Sequence, residues 1–595
     1  MTLLVMLTIN AYSGRNEHDN HTYGNCLMVR LADLLQTEMT RKEFLGLGAV
    51  AVATIFGLGG VIKMMQSHAA TPSITAEPES GTMSAGAQAV FDTSASGGKA
   101  VKFASPALAS RNLFFVKSST PSSKKMFGHY FPQMPRSRDN LNPTALGGTG
   151  DYWDNHFLKV SGESNKHATY GGMWRDRPIP RAPIAGDWQL EDMKWEIQTA
   201  QQMGFDGFFV NIIGIGSSYT FLTTKKLVDA AVALNNGFKI IPMIDCPGGS
   251  GPGTVNDSTA TQIAADLAYF WGKPSTYLDN GKLFIGSFGA NAKPPQWWTD
   301  LFTAITAQSG LRVCFSATIN DDNQSNINLY APVSDYSGTW WTSADPTTLK
   351  QLPATGWQRA LSPGWAAAAG NGWQGSVHSQ IVTPYSDFYD ESCNAAGIVA
   401  SWDKTIRDNA TYAQGITWSD FGEGGQLEPS VARGYAPAAI NAYHAERWKY
   451  GVAPTITTDC VFLSHRDQPL TGATYQSRQT RFLAQRSGEG ARTAPRDKIE
   501  IRTYLTAPAT VTVSINGVAQ TPYTAPAGES FQLYDNTLTT GTNRHSVSVA
   551  RSNVVVAQVT SPFPVTANPV SQDRQYFFAS SLHGTAGQYY PLMKL

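Results

Sequence analysis

From Lys124 to about Pro454 the chain alternates short apolar runs with amphipathic stretches, the pattern of repeated βα units. Eight runs have the length and the β-branched or aromatic content of strands: MFGHYF (126–131), DGFFVNI (206–212), FKIIPMID (238–245), KLFIGSF (282–288), RVCFSA (312–317), the segment around YSGTWW (336–341), SQIVTPY (379–385) and GITWSDF (415–421). Between several of them, EDMKWEIQTAQQMG (191–204), TTKKLVDAAVALNNG (223–237) and TATQIAADLAYFWG (259–272) read as helices. In the second, Leu227, Ala230, Ala231 and Leu234 recur at helical spacing, and Gly237 can supply the C-terminal stop. Eight such units over 124–454 predict an α/β fold, a (β/α)8 TIM-type barrel with enlarged loops. Beyond Pro454 the helical period fades. DKIEIRTYLTAP, TVTVSINGVA, ESFQLYD and HSVSVARSNVVVAQVTS alternate polar and apolar residues between Gly, Pro and Asn turns, which predicts a C-terminal antiparallel β-sandwich over 455–595.

The hydrophobic pattern also marks the N-terminal region. Phe44–Ile62 is a continuous apolar stretch that would reach about 28 Å as a helix, close to a bilayer core. It follows Met39-Thr40-Arg41-Lys42-Glu43-Phe44-Leu45, which resembles a twin-arginine export signal with Lys42 in place of the second arginine, and precedes the small residues of Ser67-His68-Ala69-Ala70. Residues 39–70 therefore read as a signal peptide or N-terminal membrane anchor, with 1–38 as a disordered upstream extension; a buried core helix is the competing reading. Residues 71–123 read as a linker. Within it, AEPESGTMSAGAQAVFDTSASGGKAVKF resembles the opening of carbohydrate-binding β-sandwich modules, but a whole sandwich needs about 100 residues, so a remnant is expected.

Charge narrows the function classes. The 45 basic and 45 acidic residues cancel, and charged residues make up 15% of the chain against about 25% in an average globular protein. No basic excess is present to draw in a nucleic acid. Instead there are 27 Phe, 15 Trp and 23 Tyr, with 54 Gly and 33 Pro, a mix suited to loop-rich, neutral, aromatic-lined surfaces. The five cysteines are widely spaced and odd in number, so neither a zinc ribbon nor a redox motif is indicated, and Cys246 and Cys314 read as small buried hydrophobes.

In a barrel of this kind the chemistry comes from the C-terminal ends of the strands. That rule selects His129, Asn211, Asp245, Trp340 and Trp341, Tyr385 and Asp387, and Asp420 with Glu423. Asp245 next to Pro247 and Gly248 also suits a turn, and Asn211 and His129 also suit satisfied polar groups of a barrel mouth. The strongest local signal is GITWSDFGEGG (415–425), a strand running into a glycine-rich loop with two carboxylates three residues apart. Glycoside hydrolysis needs such a pair, a carboxylic acid to protonate the leaving oxygen and a carboxylate to activate water or attack the anomeric carbon. Trp418, Trp340, Trp341 and Tyr385 are candidate stacking platforms for pyranose faces. No cluster has metal-ligand spacing and no glycine-rich turn forms a phosphate cradle, so no cofactor is expected.

GITWSDFGEGGQLEP resembles the strand-eight signature of glycoside hydrolase family 71, the α-1,3-glucanases, where a Trp-Asn-Asp-Tyr-Gly-Glu-like run carries the catalytic acids. KKMFGHYF, MGFDGFFVNI, NGFKIIPMID, GKLFIGSFG and TPYSDFY follow in that family's order, and TDCVFLSHRDQP (458–469) resembles its entry into the C-terminal β region. The resemblance, over roughly 124–470, implies an inverting hydrolysis of α-1,3-linked glucan with Glu423 as general acid and Asp420 as general base. It also implies that His129, Asp245 and Trp340–Trp341 line the substrate cleft. Ser419, Phe421 and Gly424 depart from the family's usual Asn, Tyr and Ser, which leaves the carboxylates in place and bears on linkage preference. Two alternatives stand beside this expectation: a hydrolase of another α-linked polysaccharide, and a non-catalytic surface glycan-binding protein on a degenerate barrel. The expected partner is a polysaccharide, with no nucleic acid, and a membrane only through an uncleaved N-terminal segment.

Overall fold

The computed structural model describes residues 87–91, 99–103, 112–134, 153–179, 186–320, 324–340, 366–367, 370–378, 381–485, 495–535 and 544–583. The expected export segment lies outside the described residues, and among those described no helix is long and apolar enough to cross a membrane. The chain falls into two units, 1–103 and 104–595. In the first, the strands Ala87–Phe91 and Lys99–Phe103 pair antiparallel within the expected linker.

The second unit contains a closed barrel of eight parallel strands: β1 (Lys125–Tyr130), β2 (Gly207–Ile212), β3 (Lys239–Asp245), β4 (Lys282–Phe288), β5 (Val313–Ile319), β6 (Tyr336–Thr339), β7 (Gly372–His378) and β8 (Tyr412–Ile416). Each pairs with its successor, and β8 pairs back onto β1, so no edge is left open. Helices α1 (Trp188–Gln202), α2 (Tyr219–Leu234), α3 (Ala260–Leu267), α4 (Pro295–Ser309), α5 (Gln324–Tyr330), α6 (Ala396–Arg407) and α7 (Ala436–Tyr450) lie in the connections. Their starts carry local signals: Ser218 accepts the Phe221 N–H, and Thr259 with Gln262 forms a capping box. Helix α2 stops earlier than expected, because Asn235 takes the left-handed C-cap conformation at φ 44° and Gly237 falls two residues outside.

Strand alternation sorts the side chains into two shells. Ile197, Leu227, Ile263, Leu301 and Trp402 from the helices pack on outward residues such as Met126, Phe208 and Ile240. Phe127, Phe209, Ile241, Met243, Phe284 and Tyr412 fill the lumen. Above and among them sit polar side chains that bond to one another: Ser316 Oγ donates to Gln374 Oε1 at 2.8 Å, and Gln374 Nε2 donates to Gln414.

Two strand expectations are corrected. The seventh strand is GWQGSVH and not SQIVTPY; its polar Gln374 is tolerated in the lumen because Ser316 and Gln414 satisfy its amide. Ile381–Thr383 instead joins a small side sheet with Phe388–Asp390 and Ala484–Gln485. The eighth strand ends at Ile416, and Thr417–Phe421 belong to the loop that follows.

The C-terminal region contributes β9 (Cys460–His465), β10 (Lys498–Leu505), β11 (Ala509–Ile515), β12 (Gly528–Asp535), β13 (Ser546–Arg551), β14 (Val554–Thr560) and β15 (Phe577–Ser580). They form two antiparallel sheets, ordered β12-β10-β9-β15 and β11-β13-β14, whose apolar faces share one core containing Leu463, Ile501, Val511 and Val549. This region is fastened to the barrel by Phe462 and Tyr504 packing with Phe114 and by Tyr504 packing with Tyr443 of α7. A buried ion pair does the same: Arg466 Nη2 donates to Glu391 Oε2 at 2.7 Å, with both side chains 1% exposed. The Tyr576 hydroxyl and the Cys393 N–H complete the Glu391 carboxylate at 2.7 and 2.8 Å. The expected cysteine reading holds, since Cys246 and Cys314 are buried free thiols.

Removing one partner of such a pair leaves a charge stranded without water. Glu391→Ala is therefore expected to cost about 3–5 kcal/mol in urea unfolding, and Glu391→Gln clearly less, because the amide keeps acceptor geometry for Tyr576 and Cys393.

Candidate active site

The loop leaving β8 is built from backbone bonds that aim two carboxylates. Thr417 N–H donates to Gly425 C=O at 3.0 Å and Leu427 N–H to Thr417 C=O at 2.8 Å, closing the loop on itself. It is stitched to the first strand by Trp418 N–H donating to His129 C=O at 2.7 Å, and by Phe131 N–H donating to Ser419 Oγ at 3.0 Å. Asp420 is buried, and its Oδ1 accepts the Glu423 N–H at 2.9 Å. Burial raises its carboxyl from 3.8 to about 6, against the opposing pull of the N–H groups of Glu423 and Gly422. Glu423 is half-buried, and its C=O accepts the Val382 N–H at 2.8 Å. Two glycines make the turn feasible. A Cβ at Gly422 would stand 3.2 Å from Asp420 Oδ1, and Gly424, at φ +62°, would place one 3.2 Å from Val382.

The back of the loop rests on buried charge. Arg433 Nη2 donates to the carbonyls of Gln426 and Gly424 at 2.6 and 3.2 Å. Asp176 lies 3.9 Å from Arg433 Nε and accepts from Gln426 Nε2, Ala432 N–H and Arg177 N–H at 2.9, 3.0 and 2.8 Å. Trp153, Trp174 and Phe421 pack beside it.

Beside this loop, on β1, β2 and β3, is a second polar group. His129 and Asn211 lie one turn of the strand pleat above Phe127 and Phe209, and Asp245 stands above Met243, so all three project into the lumen. Asn211 Nδ2 donates to Asp245 Oδ2 at 2.9 Å. Burial raises the Asp245 carboxyl and lowers the His129 imidazole to about 3, so His129 is neutral. Its ring stacks on Phe131 at 4.5 Å and meets Trp340 edge-on at 4.6 Å. The Asn211 side chain also hydrogen-bonds His129, and the Gly248 backbone N–H supports the Asp245 carboxylate.

Of the expected site residues, Asp420, Glu423 and Tyr385 come together: the Tyr385 phenol, 37% exposed, is held neutral by burial and by the charges of Glu423 and Asp420. His129, Asn211, Asp245 and Trp340 form the other group. Trp340 is 2% exposed and wedged against His129 and Phe288, so it walls the mouth and offers no open face. Trp418 is corrected: it is 0% exposed and packs on Phe205 and Phe208 in the shell behind the barrel, because the chain turns after Ile416 and sends its ring outward. Asp387 is in an ion pair with Arg481. Trp341 lies outside the described residues. The supporting residues Asp176, Gln426 and Arg433 escaped the sequence reading, and the one signal for them is a lone arginine in the otherwise weakly charged stretch 429–443. A groove of about 630 Å³ lined by Lys282, Thr303, Arg312 and Asp335 opens at the opposite end of the barrel, away from both carboxylates. Among the described residues no group of three or more His, Cys, Asp or Glu is placed to hold a metal ion.

Residues 182–581 match the profile of glycosyl hydrolase family 71. No curated protein sequence matches the chain. Among solved structures, the chain is similar to the GH99 endo-α-mannosidase from Bacteroides thetaiotaomicron in complex with bis-tris-propane, at 15% identity over 55% of this chain and 98% of that one, with a TM-score of 0.41. A second structure of the GH99 endo-α-mannosidase from that organism aligns at 17% identity over 56% and 97%, with a TM-score of 0.40. A glycoside hydrolase-like protein aligns at 9% identity over 56% and 98%, also at 0.40. Likenesses at this level bear on neither substrate nor mechanism.

Because the fold favours the neutral Asp420 carboxyl, the stability it contributes is full below pH 3.8 and is lost as the pH rises through about 6. Urea midpoints measured across that window are expected to fall in the wild type relative to Asp420→Asn, and the difference between the two curves should titrate near 6. Parallel curves would show that Asp420 carries no such shift.

Proposed function

The chain belongs to glycosyl hydrolase family 71 and is a glycoside hydrolase, and on that premise we propose that it cleaves α-1,3-glucosidic linkages in an α-glucan by inversion. The observation that carries the reading is the pair on the loop after β8, Asp420 buried and raised to about 6 and Glu423 half-buried, both acting on Tyr385. In the proposed reaction Glu423, the more accessible group, gives its proton to the leaving glucosyl oxygen. Asp420 takes a proton from the water that attacks the anomeric carbon from the opposite face. A carboxylate whose proton affinity is raised to about 6 is a stronger base than a free aspartate and is still mostly ionised at neutral pH. Inversion calls for about 6.5–9.5 Å between the two carboxyl groups, room for that water. The polar atoms of His129, Asn211 and Asp245 would take sugar hydroxyls, and the neutral imidazole can both donate and accept. Export through residues 39–70 belongs to the same proposal, as an insoluble glucan is met outside the cell.

The departures at Ser419, Phe421 and Gly424 bear on a second reading, hydrolysis of another α-linked polysaccharide. Ser419 is occupied in holding Phe131, and Gly424 is required by its backbone, so these two changes serve the loop and leave the cleft chemistry alone.

Glu423→Gln is expected to lower reducing-sugar release from α-1,3-glucan by about 10²–10⁴-fold with an unchanged unfolding curve. The wild-type kcat/KM should decline below about pH 6 as Asp420 protonates. NMR during digestion should show the β-anomer of the product first; the α-anomer first would replace inversion with retention, and turnover of a different α-glycan alone would overturn the linkage.

A further inference from the structure

The C-terminal segment 475–485 reaches the shoulder of the carboxylate loop. Val382, whose N–H binds the Glu423 carbonyl, packs with Tyr389 and Leu483 in one buried cluster. Ala484 N–H donates to Asp387 C=O at 2.9 Å, and Ala484–Gln485 runs parallel to Phe388–Tyr389 as a strand. Thr480 and Arg481 both donate their N–H groups to Thr169 C=O, at 3.0 and 2.9 Å, which fixes Tyr170 alongside. With Leu483 turned inward, its neighbour Phe482 is left 46% exposed, touching Tyr475 at 5.5 Å between rings. Arg481 bridges the strip: Nε donates to Asp387 Oδ2 at 2.6 Å, Nη1 to the Tyr170 hydroxyl at 3.1 Å, and the guanidinium lies 5.0 Å from the Tyr170 ring. Tyr385, at the carboxylate pair, is two residues from Asp387, within about 7 Å along the chain.

Four aromatic side chains are exposed among the described residues, Tyr219, Tyr385, Phe482 and Phe531, and two of them belong to this strip. Arg481 is paired with Asp387 and the exposed Arg478 lies on the same segment, so the surface offers ring faces and hydrogen-bonding groups with little net charge. That is the complement of a neutral polysaccharide, whose pyranose units present apolar CH faces rimmed by hydroxyls.

We propose that Tyr385, Tyr170 and Phe482, tied together by Arg481, form an extended subsite that binds the α-glucan chain beyond the scissile bond. The subsite rests on the proposed function for its ligand. It gives the C-terminal region a part in substrate binding and makes polymer the preferred substrate over short oligosaccharides.

The test uses the full chain with Tyr170→Ala and Phe482→Ala combined. In a Glu423→Gln background, co-sedimentation with insoluble α-1,3-glucan should need about tenfold more glucan for half-saturation. In the active protein, the ratio of kcat/KM on the polymer to that on a short α-1,3-oligosaccharide should fall about tenfold, and Phe482→Trp should keep both values. Polymer hydrolysis with unchanged sedimentation and an unchanged ratio overturns the subsite and leaves the function standing. Sedimentation that is lost in the double variant, from a protein that hydrolyses no α-glucan, keeps the subsite and overturns the function. A chain that neither sediments with α-1,3-glucan nor hydrolyses it overturns both.

Discussion

Burying a guanidinium is tolerable only when hydrogen-bond acceptors surround it, and Arg433 has met that condition by seizing the carbonyls of Gly424 and Gln426. The consequence is positional. Those two carbonyls lie immediately beyond Glu423, in the loop whose front end is pinned through Trp418 and Ser419 to the first strand. Asp176 supplies the countercharge and is itself completed by Gln426 and by backbone N–H groups from both sides of the contact. The two carboxylates are thus set from behind by charges that never face the cleft. Such a clamp fixes the loop backbone and so holds Asp420 where its Oδ1 accepts the Glu423 N–H.

The barrel adds a constraint of a different kind. With a side-chain period of two, a lumen that carries apolar residues at Phe127, Phe209 and Met243 must carry His129, Asn211 and Asp245 in the next layer up. The apolar layer seals the floor, and the polar layer above it is linked through Asn211, whose Nδ2 donates to Asp245 Oδ2 at 2.9 Å and whose side chain hydrogen-bonds His129. Desolvation then fixes charge states, a neutral imidazole at His129 and carboxyls at Asp245 and Asp420 whose proton affinity is raised.

Most of the barrel could be read from the chain because β2, β3 and β4 are largely apolar runs, as buried parallel strands are. The seventh could not. Its inward Gln374 is stabilised by Ser316 and Gln414, residues 58 and 40 positions away, and no local pattern reports that. The nearby IVT run, which has the better strand composition, was free to form the side sheet that later receives Ala484–Gln485. The carboxylate pair was legible because its chemistry is local, two acids in a glycine-rich turn. Trp418 misled for the opposite reason: strand alternation stops at Ile416, so counting onward along the strand assigns its ring to the wrong face. Asp176 and Arg433 are separated by more than 250 residues and meet only in three dimensions.

The scarcity of charge follows from where charge is used. Carrying ionised groups out of water costs several kcal/mol each unless geometry repays it, so a chain with few of them gains by placing them where a loop or a junction must not move. Arg433 with Asp176 holds the carboxylate loop, Arg466 with Glu391 holds the C-terminal sheets to the barrel, and Arg502 with Glu500 and Glu529 stiffens β10 against β12. Glu529 is drawn down to about 2 by His444 and Arg502 together, which ties α7 of the barrel to the same sheet. Buried pairs therefore hold the loop and the junctions, while the ion pairs at the surface, such as Lys226 with Asp187, are left to solvent, where they contribute little.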